Sequence, residues 1–250
     1  MPGADGLVVA HVSDLHLGAD DPAAVGSLAA DVAAARPVLT VVTGDFVMRA
    51  YTEQFRRAAA LLDSLPDPVL AVSGNHDLPL LSPRRLLSPY GRFRRWIDDD
   101  LAPVVRVRGI TAVGLQSSTR WRFTQGRVAR RPARAAAATL AAAPAGDLRL
   151  LAMHHPPPQL LWHSRLPAAD LLLAGHTHLP AVRPLPPHGT LVVAGTATSR
   201  RTRGIPPSWS LLTVGPDELQ VRERYLGPDG WYTGRSVRCP MAGFQPLHAS

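Results

Sequence analysis

Residues 7–16 read Leu-Val-Val-Ala-His-Val-Ser-Asp-Leu-His, an apolar run that ends in two polar side chains. A run that is apolar almost throughout, as at 7–12, is typical of a buried central strand. Asp14 and His16 follow two positions apart, and in an extended segment such side chains point to the same side. The stretch therefore predicts a core strand that brings a carboxylate and an imidazole together.

Four further loops repeat this order of an apolar run followed by polar residues. They are Gly44-Asp45, Gly74-Asn75-His76-Asp77, His154-His155 and Gly175-His176-Thr177-His178. Each loop follows a predicted strand, and the glycine that precedes three of them lets the backbone turn sharply beside a site. We therefore expect polar side chains from five strand ends to meet.

The distribution of apolar runs predicts a sheet-rich fold. Strands are predicted at 7–12, 38–43, 68–72, 104–107, 110–115, 148–153, 170–174, 191–194, 209–214 and 219–225, and helices at 22–35, 52–65 and 133–143. Strands and helices alternate in the first half, whereas strands joined by short turns dominate the second half. We expect the α/β (α+β) class, with helices covering sheets and the site on loops at strand ends. With 250 residues, the chain is expected to form a single domain over 1–250.

The residue types in these loops are ligands for divalent metal ions. Histidine nitrogens with carboxylate and amide oxygens suit manganese, iron, zinc or cobalt. The candidate donors are Asp14, His16, Asp45, Asn75, His154, His176 and His178. These seven donors are too many for one tetrahedral ion. If Asp45 bridges, they divide into two sets of four for a pair of ions about 3.5–4 Å apart. Because Cys239 is the only cysteine, motifs that bind metal through several cysteines are excluded.

In order and spacing these motifs resemble the signature of the calcineurin-like metallophosphoesterases, over residues 7–195. The resemblance implies two mixed β-sheets packed face to face and flanked by helices, a four-layer αββα fold whose sheets are completed by strands within 205–235. The implied ligands are Asp14, His16, Asp45 and His178 for one metal, and Asp45, Asn75, His154 and His176 for the other. His76 would act as the general acid or stabilise the phosphoryl charge.

Two positions near this signature carry separate expectations. We expect Asp77 to hold the imidazole ring of His76 and to favour its protonated form. Met48 stands where the family often has a second acidic residue, three positions after Asp45. Because that acid commonly supports the site without binding metal, we expect both metals to be retained and the supporting contacts to differ.

The motifs point to hydrolysis of a phosphate ester by water that two metal ions activate to hydroxide. A lysine nucleophile is excluded because the chain contains no lysine. A small phosphodiester such as a cyclic nucleotide is the expected substrate, because the chain is short and its motifs resemble those of small bacterial phosphodiesterases. Two alternatives stay open: a DNA or RNA nuclease of the same family, and a metal-binding scaffold without turnover.

Some residues outside the implied ligand sets could contact a substrate. His155 could orient it, although its neighbour His154 already serves as a ligand and successive side chains diverge. Arg200, Arg201 and Arg203 follow the strand that comes after the Gly175 motif, where a guanidinium could hold a phosphate. His163, between two motifs, could lie at the rim of the site or in a hydrated loop.

A basic and aromatic segment follows the Asn75 loop. Residues 84–96 interleave arginines with Phe93 and Trp96, as nucleic-acid binders do. We favour the interpretation that the apolar residues anchor an amphipathic segment whose arginines are hydrated. Nucleic acid is therefore an open but not favoured partner.

Charge and hydropathy set the remaining expectations. The 27 basic residues, all arginine, exceed the 19 acidic residues and give a net charge of +8, which favours anionic partners. No apolar run approaches the roughly 20 residues of a membrane span. Because no signal peptide is recognisable, we expect a cytoplasmic protein. The oligomeric state is left open.

Overall fold

The structure, a computed structural model, describes residues 6–161, 166–186 and 189–241. The strands are β1 (Leu7–Val12), β2 (Leu39–Val42), β3 (Val69–Ala71), β4 (Val104–Val107), β5 (Ile110–Gly114), β6 (Leu148–Ala152), β7 (Leu171–Ala174), β8 (Ala181–Pro184), β9 (Thr190–Val193), β10 (Ser208–Val214), β11 (Glu218–Gly227) and β12 (Gly230–Pro240). The helices are α1 (Pro22–Ala34), α2 (Thr52–Leu62), α3 (Arg84–Leu87), α4 (Gly91–Trp96) and α5 (Arg130–Ala141), and a short 3₁₀ turn covers Pro157–Gln159.

The strands form two six-stranded sheets. The first sheet has the order β12-β11-β10-β1-β2-β3, in which β1, β2 and β3 are parallel and β10 is antiparallel to β1. The second has the order β4-β5-β6-β7-β9-β8, in which β5, β6, β7 and β9 are parallel. Loops that follow parallel strands therefore collect at one edge of each sheet.

Successive side chains of a strand point to opposite faces of its sheet, and this explains how the two sheets pack. In β1, Val9 belongs to one apolar cluster and Ala10 to another, and Val41 and Val42 of β2 divide in the same way. The cluster around Val9 also contains residues of the second sheet, such as Leu150. This cluster is therefore the interior of a sandwich between the two sheets.

The outer faces of the sandwich carry the helices. Leu28 of α1 and Phe55 of α2 pack on the first sheet, whereas Ala136 and Leu140 of α5 pack on the second. The layers follow the order helix, sheet, sheet, helix, which confirms the predicted αββα architecture. Within the described ranges, none of these helices has the length and apolar character that crossing a membrane requires.

Local sequence sets where α1 begins and favours helix in α5. The Asp21 carboxylate accepts a hydrogen bond from the backbone N–H of Ala23 at 2.8 Å, and Pro22 occupies the first helical position of α1. Helix α5 consists largely of alanine, the residue with the highest helix propensity.

Every predicted strand and helix overlaps an element of the structure, but β8 and β12 were not predicted. Both are edge strands, and most side chains of β12 are exposed or half-buried. A strand that buries few residues lacks the apolar pattern on which the prediction relied. In the described part of the chain, the strands that follow residue 205, β10, β11 and β12, join the first sheet.

Candidate metal centre

The loops that leave β1, β2, β3, β6 and β7 meet between the two sheets. Among the described residues, four tight clusters of side-chain donors lie there, in which the atoms that could bind an ion are all within 4.8 Å of one another. Together with Asn75, these clusters contain every residue predicted to bind metal. The members are Asp14, His16 and His178; Asp14, Asp45 and His154; His16, Asp45 and His76; and His154, His155 and His176.

The first group surrounds a carboxylate oxygen of Asp14. Nε2 of His178 lies 3.2 Å and Nε2 of His16 3.7 Å from Oδ1 of Asp14, and the two imidazole nitrogens are 3.0 Å apart. The other oxygen of Asp14, Oδ2, accepts hydrogen bonds from Ser13 Oγ at 2.6 Å and from the His176 N–H at 2.9 Å. These bonds orient the carboxylate so that Oδ1 faces the histidines.

The second group surrounds the side-chain oxygen of Asn75. Nε2 of His154 lies 3.1 Å and Nδ1 of His176 3.0 Å from Oδ1 of Asn75. Both histidines come from the second sheet, whereas Asn75 follows β3 of the first. This half of the centre therefore forms only when the two sheets pack together.

Asp45 stands between the two groups. Its Oδ2 lies 3.7 Å from Nε2 of His16 and 3.3 Å from Nε2 of His154. Its Oδ1 accepts a hydrogen bond from the backbone N–H of His76 at 2.8 Å. One oxygen of Asp45 thus faces both groups, which is the placement that a bridging ligand needs.

Hydrogen bonds on the far side of two rings fix which nitrogen faces the centre. Nδ1 of His154 donates to the Thr43 carbonyl at 2.7 Å, and Nδ1 of His178 donates to the Arg201 carbonyl at 2.8 Å. A ring that donates through Nδ1 presents Nε2 to the centre, where it can bind a metal ion.

The buried carboxylates and imidazoles of the centre shift one another's pKa values. Burial works against the charged form of Asp45, yet His154 and His16 hold the pKa of this carboxyl well below its usual range. Burial alone would lower the pKa of His154, but Asp45 raises this pKa to about 9. Burial and the charge of His154 lower the pKa of His176 to about 4.

Among the described residues, seven buried side-chain nitrogen and oxygen atoms have no hydrogen-bond partner, and three of them lie at the centre: Oδ1 of Asp14, Nδ1 of His16 and Nε2 of His155. A buried carboxylate oxygen that faces imidazole nitrogens without a well-formed hydrogen bond is costly unless a cation satisfies it. The nitrogen and oxygen donors present therefore fit two divalent metal ions.

Most of the candidate ligands have left-handed backbone conformations. Of the seven non-glycine residues with positive φ in the described part of the chain, five belong to the candidate ligands, with φ between 50° and 70°. They are Asp14, His16, Asp45, His176 and His178. Such conformations are uncommon outside glycine and concentrate at functional sites. Asp14 and His16 thus converge through tight turns, which corrects the expectation of extended backbone at these two residues.

Two glycines are required by this close packing. Gly44 has a φ of 92°, and a Cβ there would lie 2.6 Å from the backbone nitrogen of Gly74. A Cβ on Gly74 would collide with the backbone and carboxylate of Asp45. A larger residue at position 44 would collide with Gly74 and His154, and one at position 74 would displace Asp45.

The sequence model of the calcineurin-like phosphoesterase family matches residues 7–180, well over half of the chain. The chain belongs to this family. A dimetal phosphatase from Danio rerio shares the fold at 13% identity and a TM-score of 0.67, over 95% of this chain and 100% of that one. Vps29 from Chaetomium thermophilum is 15% identical with a TM-score of 0.53, over 98% of this chain and 100% of that one.

The purple acid phosphatase PPD1 from yellow lupin seeds is 12% identical with a TM-score of 0.72. The match covers 94% of this chain but 54% of that one, so this chain spans about half of the lupin protein. At such identities these structures show the fold alone. Among curated proteins, no match is found.

In this calcineurin-like chain, the ring of His76 lies beside the first group, but its hydrogen-bond partner is not the one we expected. Its ring is 4.8 Å from that of His16, and its Nδ1 donates to the Met48 carbonyl at 3.0 Å. Asp77 instead accepts the backbone N–H groups of Val47 at 3.1 Å and Gly74 at 2.7 Å. The expectation that Asp77 holds the His76 ring is therefore wrong: Asp77 braces the loop, and a backbone carbonyl orients the ring.

Charges near His76 and Asp77 also differ from what we expected. Burial lowers the pKa of His76, although Asp45 opposes this. Burial and the charge of Asp45 raise the pKa of Asp77 to about 7. With its pKa raised, Asp77 carries less negative charge near neutral pH and favours the protonated form of His76 less than we expected.

His155 lies against the second group. Its ring centroid is 4.5 Å from that of His176, and its Nδ1 is 2.9 Å from Ser117 Oγ. Among the described residues, its buried Nε2 has no hydrogen-bond partner. The structure thus places His155 at the centre, and its action on substrate stays a prediction.

The predicted arginine loop lies beside the first group. Arg201 accepts the hydrogen bond of His178 through its carbonyl and donates through Nη1 to the Met48 sulfur at 3.6 Å. The side chains of Arg200, Arg201 and Arg203 are exposed. Contact of these guanidinium groups with substrate stays a prediction, and His163 lies outside the described residues.

Sequence reasoning missed the supporting residues. Thr196 donates through its hydroxyl to the Asp14 carbonyl at 2.6 Å, and Thr198 donates to the Leu15 carbonyl at 2.5 Å. Both follow β9, at another strand end with a glycine and polar residues, so the pattern used for the ligands could have found them.

The bridging position of Asp45 generates a prediction. In Asp45→Asn, which keeps the shape but removes the charge between the two groups, we expect metal affinity to fall by more than the about 10–100-fold typical of losing a supporting residue. Metal content per chain after dialysis measures this loss. Asp229→Asn, in an exposed turn, is the matched control and should keep the metal content of the parent. Two tightly bound ions in Asp45→Asn would contradict the bridging role.

Proposed function

We propose that this calcineurin-like protein is a binuclear metal-dependent phosphoesterase whose substrate is a small phosphodiester such as a cyclic nucleotide. One observation carries the proposal: Oδ2 of Asp45 faces His16 on one side and His154 on the other, within a single buried cluster. The proposed ligand sets are those implied by the resemblance, with Asp45 in both.

Two divalent ions held there would supply Lewis acidity, which makes water a nucleophile near neutral pH and neutralises the charge of the phosphoryl group. The chain's own residues then hold the reacting groups in place. Asp14 accepts a hydrogen bond from a backbone N–H, and His154 and His178 each donate one to a backbone carbonyl. These bonds fix the three side chains before any substrate arrives, so little reorganisation is needed.

His76 is the proposed proton donor to the leaving group. Because Nδ1 donates to the Met48 carbonyl, Nε2 is the ring atom that can give or take a proton. His155 is proposed to orient the phosphoryl group, and its buried, unpartnered Nε2 supports this role. Asp77 has a supporting part in the loop that carries His76.

Two other functions are less well supported. A scaffold without turnover would be expected to lose donors, yet the predicted ligands and His76 are all present and clustered. A nuclease of this family would use the excess of arginine, and its substrate would be nucleic acid in place of a small diester. We also propose a cytoplasmic location, with which the free Cys239 is consistent.

A turnover screen tests the proposed reaction. We expect EDTA to abolish hydrolysis and manganese to restore it better than magnesium, because histidine-rich sites favour transition ions over oxygen-seeking ones. The substrates are a cyclic nucleotide, a linear dinucleotide, a phosphate monoester and single-stranded DNA. Preference for DNA would favour the nuclease, and full activity in EDTA would overturn the metal mechanism.

His76→Ala should separate chemistry from metal binding. The metal content should stay near that of the parent while kcat falls by about 10²–10⁴, the usual contribution of a positioned acid. The loss should shrink for p-nitrophenyl esters, whose leaving group needs little help from a proton. An equal loss for good and poor leaving groups would instead assign His76 to stabilising phosphoryl charge.

Arg201→Ala tests the arginine loop without disturbing His178, because Arg201 supports that ring through its backbone carbonyl. We expect KM to rise more than kcat falls, since a phosphate contact made equally before and in the transition state changes binding uniformly. Arg238→Ala, at the outer edge of the first sheet, is the matched control. Unchanged KM at low ionic strength would show that Arg201 is a hydrated surface residue.

A further inference from the structure

Exposed apolar side chains are concentrated in two short segments beside the metal centre. Of the eleven large hydrophobic residues exposed in the described ranges, six lie within residues 80–87 and 121–123. We call them the apolar rim: Leu80, Leu81, Leu86, Leu87, Trp121 and Phe123. Three of these are mostly exposed, Leu81 at 88%, Leu87 at 84% and Trp121 at 70%.

A buried arginine joins the two segments. The Arg85 guanidinium donates to the carbonyls of Pro79 at 2.9 Å, Arg120 at 2.8 Å and Arg122 at 2.5 Å. It also lies over the ring of Phe123, 4.3 Å from the centroid. A guanidinium with this many acceptors is held firmly. Arg85 thereby fixes the two segments against each other, and the apolar rim is one surface.

A second arginine strengthens this connection. Arg120 donates from Nη1 to the carbonyl of Leu86 at 2.7 Å and lies 5.7 Å from the ring centroid of Trp121. The exposed side chains of both segments are therefore presented together.

The apolar rim borders the metal centre. Residue 80 lies three positions after Asp77, at the end of the loop that carries Asn75 and His76. The loop before Trp121 reaches the same region, where Ser118 Oγ donates to the Ser73 carbonyl at 3.4 Å and Ser117 Oγ contacts His155. A partner that covers the rim would thus lie next to the opening of the centre.

The charged residues in and next to the two segments of the rim are all arginines. No acidic residue occurs between Asp77 and Asp98 or between Asp100 and Asp147. Arg84 and Arg122 have exposed side chains within the two segments, and Arg120, also exposed, directly precedes the second. The partner that complements this surface is apolar at its core and carries negative charge.

We propose that the apolar rim docks the protein on the surface of an anionic phospholipid bilayer. Leucine and tryptophan side chains at the boundary of headgroups and acyl chains, flanked by arginine, are the combination by which peripheral proteins bind such membranes. The three exposed arginines contact headgroup phosphates, and the rim leucines enter the acyl boundary. The metal centre then faces the layer of headgroups.

Other occupants fit the rim less well. Single-stranded nucleic acid needs aromatic rings for stacking, and four of the six rim residues are leucines. A second copy of this chain would bring two sets of rim arginines together, with no carboxylate in these segments to pair with them.

Sedimentation of the full chain with vesicles tests the proposal. We expect binding to vesicles of phosphatidylcholine mixed with phosphatidylglycerol, and weaker binding to phosphatidylcholine alone or at high salt. Leu81→Ser and Leu87→Ser should each lower the partition coefficient about tenfold, since each removes most of a buried leucine side chain from the bound state. Arg84→Gln and Arg122→Gln should weaken binding only to the anionic vesicles.

Matched variants far from the rim serve as controls. Tyr232→Ser, half-exposed on β12, and Arg238→Gln on the same strand should bind like the parent. Because the rim leucines are exposed, their variants should keep the parent's Tm, which checks that they fold. Absence of binding to anionic vesicles, or the same loss in Tyr232→Ser, would overturn the proposal.

Two further measurements distinguish the other occupants. If the protein binds a thymidine oligonucleotide, and this binding is kept when Leu81 and Leu87 are replaced but lost when Trp121 is replaced, the rim is a nucleic-acid site. Concentration-dependent dimers that Leu81→Ser abolishes would assign it to self-association. Either result without vesicle binding overturns the docking proposal and leaves the proposed hydrolysis untouched, because no rim residue belongs to the metal centre.

Discussion

A buried carboxylate needs compensating positive charge, and the metal centre of this chain is built around that constraint. Asp14 and Asp45 are withdrawn from solvent and face imidazole nitrogens. Protons can balance part of this charge, as the raised pKa of His154 shows. A divalent ion balances more charge with fewer ligands and satisfies the donor atoms that hydrogen bonds leave unpaired. The buried carboxylates, which are unfavourable without a cation, therefore stabilise the cluster when divalent ions are bound.

The two-sheet fold provides the means to concentrate these donors. Parallel strands of the first sheet contribute Asp14, Asp45 and Asn75, and parallel strands of the second contribute the later histidines. Five of the candidate ligands need left-handed backbone, each at a cost of about 1–3 kcal/mol. Such strain persists only where the surroundings hold it. Here the apolar sandwich and the bonds of Thr196 and Thr198 to the first loop hold it in place.

Much of this architecture could be predicted because the apolar strands and the polar loops obey simple periodicity. The central strands and the metal ligands carry strong patterns, since they are buried or chemically unusual. The edge strands β8 and β12 bury too little to show a pattern. The role of Asp77 was misjudged for another reason: sequence gives neighbours along the chain, whereas the partner of His76 is the carbonyl of Met48, 28 residues away.

The contact between His76 and position 48 is made through the backbone. Any residue at position 48 supplies a carbonyl, so the orientation of His76 does not depend on the side chain at that position. The Met48 side chain instead meets the Arg201 guanidinium through its sulfur, a weak acceptor. An aspartate at this position could pair with the arginine and hold it. With methionine, the guanidinium keeps most of its hydrogen-bonding capacity, which leaves Arg201 available to an anionic group that enters the centre.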